Sequence, residues 1–197
     1  MPINPCFHRF PAEAAIIGRL LAAFGELEVT VCYNAGKATN LGDLVVAALY
    51  RIRATRSRLE AADALMRPIY TTAGFSELYG DAFGRVMHCL RIRNQFAHCN
   101  WGDHETAGLF FVDLQVAAER PDFAFHWKHV DAPLLRSHET YFDGALEALR
   151  FRFQTRCAAN NLPQIARFGP SNSMLGCGPN NATRLFGIDW LCSAKRA

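Results

Sequence analysis

The apolar residues of this chain change their spacing near residue 100, and this change limits the folds that the chain can adopt. Before that point they recur every three or four positions, the spacing that lets an α-helix bury one face. After it they alternate one by one over two short stretches, which is typical of β-strands with one buried face. The sequence therefore predicts a mainly α protein, a helical bundle with a β-hairpin inserted between its helices.

Prolines, glycines and apolar positions together predict four long helices. Pro11 is expected to open the first helix and Ser76 to cap the third, whereas Pro68 should stop the second. Residues 34–43 (NAGKATNLGD) have the composition of a loop. The predicted helices cover residues 11–32, 42–66, 76–98 and 134–158.

The inserted hairpin is predicted at about residues 108–130, with a turn at 118–121 (AERP). Phe110, Val112, Leu114 and Val116 would share one side of its first strand. Because an isolated two-stranded ribbon is marginally stable in water, we expect this apolar side to pack on the helices or on a partner chain.

The composition indicates a single helical domain, residues 1–159, followed by an irregular tail, residues 160–197. Half of the 197 residues are apolar, which is enough for a sizeable core. The longest fully apolar run, Leu44 to Tyr50, is too short to span a membrane. The seven cysteines are odd in number and form no CxxC pair, so reduced thiols are expected. We therefore expect a soluble, cytoplasmic protein.

The basic residues are mostly arginine, eighteen of 21, although the net charge is only +3. Arginine suits bidentate contacts with phosphate, but a GC-rich genome gives the same bias. Four arginines fall within the eight residues RIRATRSR, and with Arg91 they are candidate phosphate contacts. The alternative is a solvated helix face that pairs with Glu60 and Asp63. The four are Arg51, Arg53, Arg56 and Arg58.

The predicted third helix places an arginine in its apolar seam, which comprises two interleaved rows of residues seven apart. An unpaired buried charge is costly, so Arg93 should have a carboxylate partner, face a cleft or lie where the seam meets a second chain. Candidate carboxylates are Glu26, Glu60 and Asp63. The rows are Tyr79, Val86 and Arg93, and Ala82, Cys89 and Phe96.

His98 follows Arg93 by five residues, which is about 140° further round an ideal helix. The two side chains therefore do not converge by helix geometry alone, and Asn94 lies between them in angle. In a chain with eighteen arginines and seven histidines this spacing is not specific. Its position at a helix end, with a polar residue directly after the arginine, makes it more specific.

The stretch RNQFAH resembles the signature of the HEPN superfamily: an arginine, a polar residue, three further residues and a histidine near the end of the third helix. The resemblance covers residues 11–158, although the hairpin and the tail depart from the simplest bundle. It implies an antiparallel helical bundle and, in many members, a metal-independent endoribonuclease that acts as a dimer in toxin–antitoxin, phage-defence or RNA-processing systems. Other members are inactive binding or scaffold modules, so a non-catalytic dimerisation or RNA-binding module is the alternative. An antitoxin partner would be a further expectation.

The chemistry of RNA cleavage through the 2′-hydroxyl fits these residue types. His98 can act as base or acid because imidazole titrates near neutral pH, and Arg93 can stabilise charge on the phosphate. Asn94 can orient the substrate or hold His98. Since Arg93 and His98 diverge on one helix, we expect two chains to build the site around a two-fold axis.

No metal or other cofactor is required by this reaction. His88, Cys89, His98, Cys99 and His104 are close in sequence, but their spacing matches no standard zinc site. We therefore predict no metal ligands. A Cys99 nucleophile beside His98 is a weaker alternative, because neighbouring residues on a helix point about 100° apart.

Overall fold

The computed structural model describes residues 4–119 and 121–158, and the mainly α prediction is confirmed. The predicted tail, residues 160–197, lies outside the described residues. In chain order the elements are α1 (Cys6–Arg9), α2 (Pro11–Thr39), α3 (Gly42–Tyr50), α4 (Thr55–Thr72), α5 (Ser76–His98), β1 (Asn100–His104), β2 (Gly108–Val112), α6 (Leu114–Ala118), β3 (Lys128–Val130) and α7 (Ala132–Ala158).

Helix α2 is the centre of the bundle, because it packs against α3, α4, α5 and α7. Helix α5 packs in turn against α4 and α7. Apolar side chains from all these helices form one core and remove apolar surface from water, which is the main favourable contribution to folding. Its largest fully buried members include Phe142, Leu20, Leu27, Leu59 and Met66. Among the described residues, no helix has the length and apolar character needed to cross a membrane.

The loop predicted at residues 34–43 is wrong, because α2 continues to Thr39. Asn34 and Gly36 have loop-like composition but are buried in the last turns of α2. The chain turns only at Asn40, which has a φ of 59° and whose N–H bonds back to the helix carbonyls. A Cβ on Gly36 would lie 2.5 Å from the carbonyl oxygen of Gly42. The missing side chain at Gly36 therefore allows α3 to begin close against α2.

The second predicted helix, residues 42–66, is also wrong, because the chain forms two helices that are separated at residues 51–54. Arg58 stabilises the chain at this break. Its guanidinium donates to the carbonyl oxygens of Leu49 and Ile52, at 3.2 and 3.1 Å from Nε, so it satisfies the end of α3. Pro68 does not stop α4, which continues to Thr72. A proline inside a helix costs one backbone hydrogen bond, which tertiary packing outweighs here.

Helix α5 has the bounds that the sequence predicted. The expected Ser76 cap is wrong in detail, because Phe75 occupies the cap position and no side chain bonds the first turn. The interleaved apolar rows are confirmed as a buried seam. Its buried members are Tyr79, Val86, Ala82, Cys89 and Phe96.

The predicted hairpin is confirmed in part, because β2 and β3 pair antiparallel, with Leu109 opposite Val130. It belongs to a three-stranded sheet of order β1-β2-β3, and β1 was not predicted. Residues 114–118 form α6 instead of extending the strand, since Asp113 accepts the N–H of Val116 at 3.3 Å and begins a helix there.

The sheet packs on the helices mainly through Leu109 and Phe111, which lie on the side opposite to the predicted one. Of the predicted side, Val112 is also buried and Phe110 is partly exposed. Leu114 and Val116 belong to α6 and are 37% and 54% exposed. Phe111 and Trp101 of β1 both contact Phe96 of α5, with ring centroids 5.7 Å apart in each pair. This aromatic cluster fixes the sheet to the end of α5.

Candidate functional site

The residues of the RNQFAH stretch occupy the last turns of α5, and His98 is the final residue of that helix. A groove of about 660 Å³ runs along this part of α5. Three predicted site residues, Arg91, Asn94 and His98, share this groove, whereas Arg93 is not among its lining residues. The lining residues are His88, Arg91, Ile92, Asn94, Gln95, His98 and Asp113.

The side chain of Arg93 reaches the groove indirectly, through Asn94. Arg93 is half-buried, and its Nη1 donates to Oδ1 of Asn94 at 3.0 Å. Because the Asn94 oxygen is occupied, its amide nitrogen keeps two N–H donors for the groove. Asn94 therefore connects a fixed positive charge with a surface that already contains His98.

Arg93 has none of the three predicted carboxylate partners, because each of them bonds elsewhere. Within residues 4–119 and 121–158, no carboxylate forms an ion pair with Arg93. Asp63 also accepts the hydroxyl of Tyr79 at 2.8 Å. The ion pairs are Glu26 with Arg150, Glu60 with Arg56 and Asp63 with Arg67.

His98 is exposed at the C-terminal end of α5, where the backbone leaves the helical conformation. Cys99 is extended, with φ −79° and ψ 158°, and the next residue already begins β1. The described residues provide no hydrogen-bond partner for the His98 ring. Its imidazole therefore faces the groove with both nitrogens available to a ligand.

A second histidine lies in the same groove and was not predicted as a site residue. Nδ1 of His88 is 2.9 Å from Nη2 of Arg91, and the edge of its ring meets Tyr141 of α7 at a centroid distance of 4.9 Å. Burial lowers the pKa of the nearby His138, and the electrostatic effect of its neighbour His88 lowers it further. The signal in the sequence was the spacing of His88 and Arg91, since residues three apart are neighbours on a helix face.

The four clustered arginines do not share one helix face, because the chain breaks within their segment. Arg51 and Arg53 are exposed between α3 and α4. Arg56 pairs with Glu60 at 2.9 Å, as the solvated-face alternative predicts. Arg58 is buried and forms an ion pair with Glu28, so its guanidinium is not available to a phosphate and we withdraw it as an RNA contact. None of the four lines the groove.

Cys6, Cys32, Cys89 and Cys99 are free thiols, and the environment of Cys89 and Cys99 disfavours nucleophilic chemistry. Burial raises the pKa of Cys99 to about 12 and that of Cys89 to about 12. A thiol with such a pKa stays protonated at neutral pH, and only the thiolate is a good nucleophile. The Cys99 alternative is therefore disfavoured.

A metal site needs several ligating side chains close together. Within the described part of the chain, no group of three or more His, Cys, Asp or Glu side chains is arranged to hold a metal ion. His88 and His98 line one groove, but His104 lies at the end of β1 beside a different cleft.

That second cleft, of about 330 Å³, lies on the sheet, and its lining includes Gly102, Phe110 and Trp127. A Cβ on Gly102 would lie 3.0 Å from the Trp127 ring, so the glycine allows the indole to cover β1. Phe123, Phe125 and Trp127 are each about half exposed. These aromatic residues did not form the long second strand that the sequence predicted.

Comparison of the chain with protein-family models, with curated proteins and with solved structures gives no match. The resemblance to the HEPN superfamily therefore stays a prediction that rests on the RNQFAH stretch.

Proposed function

We propose that the protein is a metal-independent endoribonuclease that cleaves RNA by attack of the 2′-hydroxyl on the adjacent phosphate. The observation that carries the proposal is the arrangement at the end of α5. His98 and Asn94 line one groove, and the Arg93 guanidinium is hydrogen-bonded to Asn94. A proton-transfer group, amide donors and a fixed cation thus lie at one surface.

In the proposed reaction, a base removes the proton of the 2′-hydroxyl as its oxygen bonds to phosphorus. The bond from phosphorus to the 5′-oxygen then breaks, and an acid protonates that oxygen. The products are a 2′,3′-cyclic phosphate and a 5′-hydroxyl. His98 performs one of the two proton transfers, and Asn94 donates hydrogen bonds to the phosphate as its negative charge grows. The positive charge of Arg93, which is bonded to Asn94, stabilises that growing charge.

The reaction needs both a base and an acid, whereas one chain supplies a single His98 at this position. We propose that two chains form a homodimer with α5 beside the two-fold axis, so that each contributes a histidine to a shared cleft. Arg93 lies 140° round the helix from His98 and reaches the groove of its own chain only through Asn94, so a partner chain can supply the direct contact that one helix lacks.

The cellular setting, a cytoplasmic toxin or defence component with an antitoxin partner, is proposed from the resemblance alone. The alternative function, a non-catalytic dimerisation or RNA-binding module, uses the same surface without chemistry.

Cleavage of RNA by the purified chain in EDTA distinguishes the two functions. Arg93→Ala and His98→Ala should each nearly abolish cleavage while the helical circular dichroism is unchanged. Arg85→Ala is the matched control, because Arg85 lies on the same helix, pairs with Asp81 at 3.1 Å and is not a lining residue of the groove. Cleavage by both variants at the wild-type rate would refute the catalytic assignment.

Two further measurements test the products and the dimer. An RNA in which each 2′-hydroxyl is replaced by hydrogen should not be cleaved, because the nucleophile is missing. Sedimentation at falling protein concentration, together with the cleavage assay, should show that activity disappears as the dimer dissociates. Undiminished specific activity in a monomeric preparation would refute the shared site.

A further inference from the structure

The α5 groove contains a second polar group, formed by His88 and Arg91, which lies at a distance from His98. A guanidinium has only donors, so Arg91 donates the 2.9 Å hydrogen bond and His88 accepts it at Nδ1. The remaining ring proton of His88 is therefore on Nε2. The pair presents the Nε2–H of His88 and the other N–H groups of Arg91, and these donors suit an anion.

We propose that His88 and Arg91 form a second phosphate subsite, so that the substrate is a single RNA strand lying along α5. This inference rests on the proposed function and specifies its substrate. Ten residues of helix separate His88 from His98, which corresponds to a rise of about 15 Å. A stacked strand carries one phosphate about every 3.4 Å, so the groove extends past several phosphates. A strand held at one phosphate by His98 therefore passes His88 and Arg91.

The charges in the groove favour this placement of the subsite. No carboxylate of the described residues pairs with Arg91, in contrast to Arg85 on the same helix, which is bound to Asp81. The carboxylate that lines the groove is Asp113, and it lies at the other end, near Cys99, whose pKa is raised mainly by burial and further by the charge of Asp113. The end that holds Arg91 is therefore the positive end.

Packing from α7 holds His88 in the position that the subsite needs. The ring of Tyr141 contacts the imidazole edge-on, and its centroid lies 4.9 Å away. With one nitrogen bonded to Arg91 and one ring edge against Tyr141, the imidazole has little rotational freedom. A preorganised donor loses less entropy when the strand binds.

Binding of RNA that cannot be cleaved tests the subsite separately from catalysis. The probes are 2′-O-methyl RNA strands of two and eight nucleotides, in which the nucleophile is blocked, and fluorescence anisotropy measures their affinity over a range of salt concentrations. The proteins are the full wild-type chain, Arg91→Ala, His88→Ala and the control Arg85→Ala.

For the eight-nucleotide strand, Arg91→Ala should weaken binding about tenfold or more, because a hydrogen bond to a charged group contributes about 1.5–3 kcal/mol. The slope of log affinity against log salt should decrease in magnitude by about 0.7, the value for one phosphate contact on a single strand. His88→Ala should also weaken binding of this strand. Neither variant should change binding of the two-nucleotide strand, and Arg85→Ala should change neither affinity.

Three results would overturn the subsite: no binding of the long strand by the wild type, an unchanged affinity in Arg91→Ala, or an equal loss for both strand lengths. A chain that binds as expected but never cleaves unmodified RNA would refute the ribonuclease and support the subsite. A chain that cleaves RNA, but whose binding does not depend on Arg91, would refute the subsite and support the ribonuclease.

Discussion

Replacing Arg58 with methionine should destabilise the protein strongly, although this arginine lies among exposed ones in the sequence. Its side chain is 10% exposed and that of its partner Glu28 is 14% exposed. Removing one member of such a buried pair leaves the other charge without a partner, at a cost of about 3–5 kcal/mol. The carbonyl oxygens of Leu49 and Ile52 would also lose the hydrogen bonds from Arg58, although Leu49 keeps its bond from the N–H of Ile52. We expect the lower end of that range, about 3 kcal/mol, because Glu28 keeps some contact with water.

Urea unfolding and thermal unfolding, each followed by far-UV circular dichroism, measure this change. In a domain of this size a loss of about 3 kcal/mol lowers Tm by roughly 6–12 °C. The matched control is Arg56→Met, since Arg56 and Glu60 are 74% and 52% exposed and such a pair contributes less than about 1 kcal/mol. The double variant Arg58→Met with Glu28→Gln should be more stable than Arg58→Met alone. If Arg58→Met costs no more than Arg56→Met, the structural role of Arg58 is refuted.

Three further predictions concern stability and reactivity. Gly36→Ala should destabilise the protein by about 1–3 kcal/mol, because its Cβ would meet a backbone carbonyl at 2.5 Å. In the same helix, the Cβ of Gly25→Ala would meet nothing within 4 Å, so this variant should stabilise the protein by up to about 1 kcal/mol. Urea unfolding compares the two variants. Burial raises the pKa of Cys32 to about 11 and that of Cys89 to about 12. Iodoacetamide should therefore label neither thiol in the native chain and both thiols in urea, as measured by peptide mass spectrometry. Labelling of the native chain at the rate of the unfolded chain would contradict this prediction. Burial lowers the pKa of His138, so below about pH 6.5 the unfolded state binds a proton that the native state does not, and the stability of the protein falls as the pH falls. His138→Gln should reduce that loss of stability, as urea unfolding at several pH values would show. An unchanged pH dependence in this variant would contradict the prediction.

The sequence predicted the elements whose apolar spacing is regular and failed where burial or a distant side chain decides the structure. Helix α5 has its predicted bounds because its seam repeats over three turns and more. The segment around Gly36 was mistaken for a loop, because loop-like composition and close helix packing use the same small residues. The break before α4 is held by Arg58, whose side chain bonds to carbonyls six and nine residues earlier. No local pattern contains that information.

Most residues of the candidate site could be predicted from the sequence, but the contacts between their side chains could not. The sequence shows the spacing of Arg93, Asn94 and His98. The spacing also predicts that the side chains of Arg93 and His98 diverge around the helix. The hydrogen bond from Arg93 to Asn94 was not, because it depends on which way a long side chain turns. His88 was missed because its role depends on Arg91 and on Tyr141, which comes from a distant helix.

The single residue between α5 and β1 limits how the length of this protein can change during evolution. Cys99 alone separates His98 from Asn100, the first residue of β1. One inserted residue there would either turn the helix end by about 100° or shift β1 by one position, which would send Trp101 to the opposite face of the sheet. In contrast, Phe123 and Phe125, in the connection from α6 to β3, are half exposed and stand away from the core. Among related sequences, insertions and deletions should therefore accumulate in that connection, while the number of residues from His98 to Trp101 stays constant.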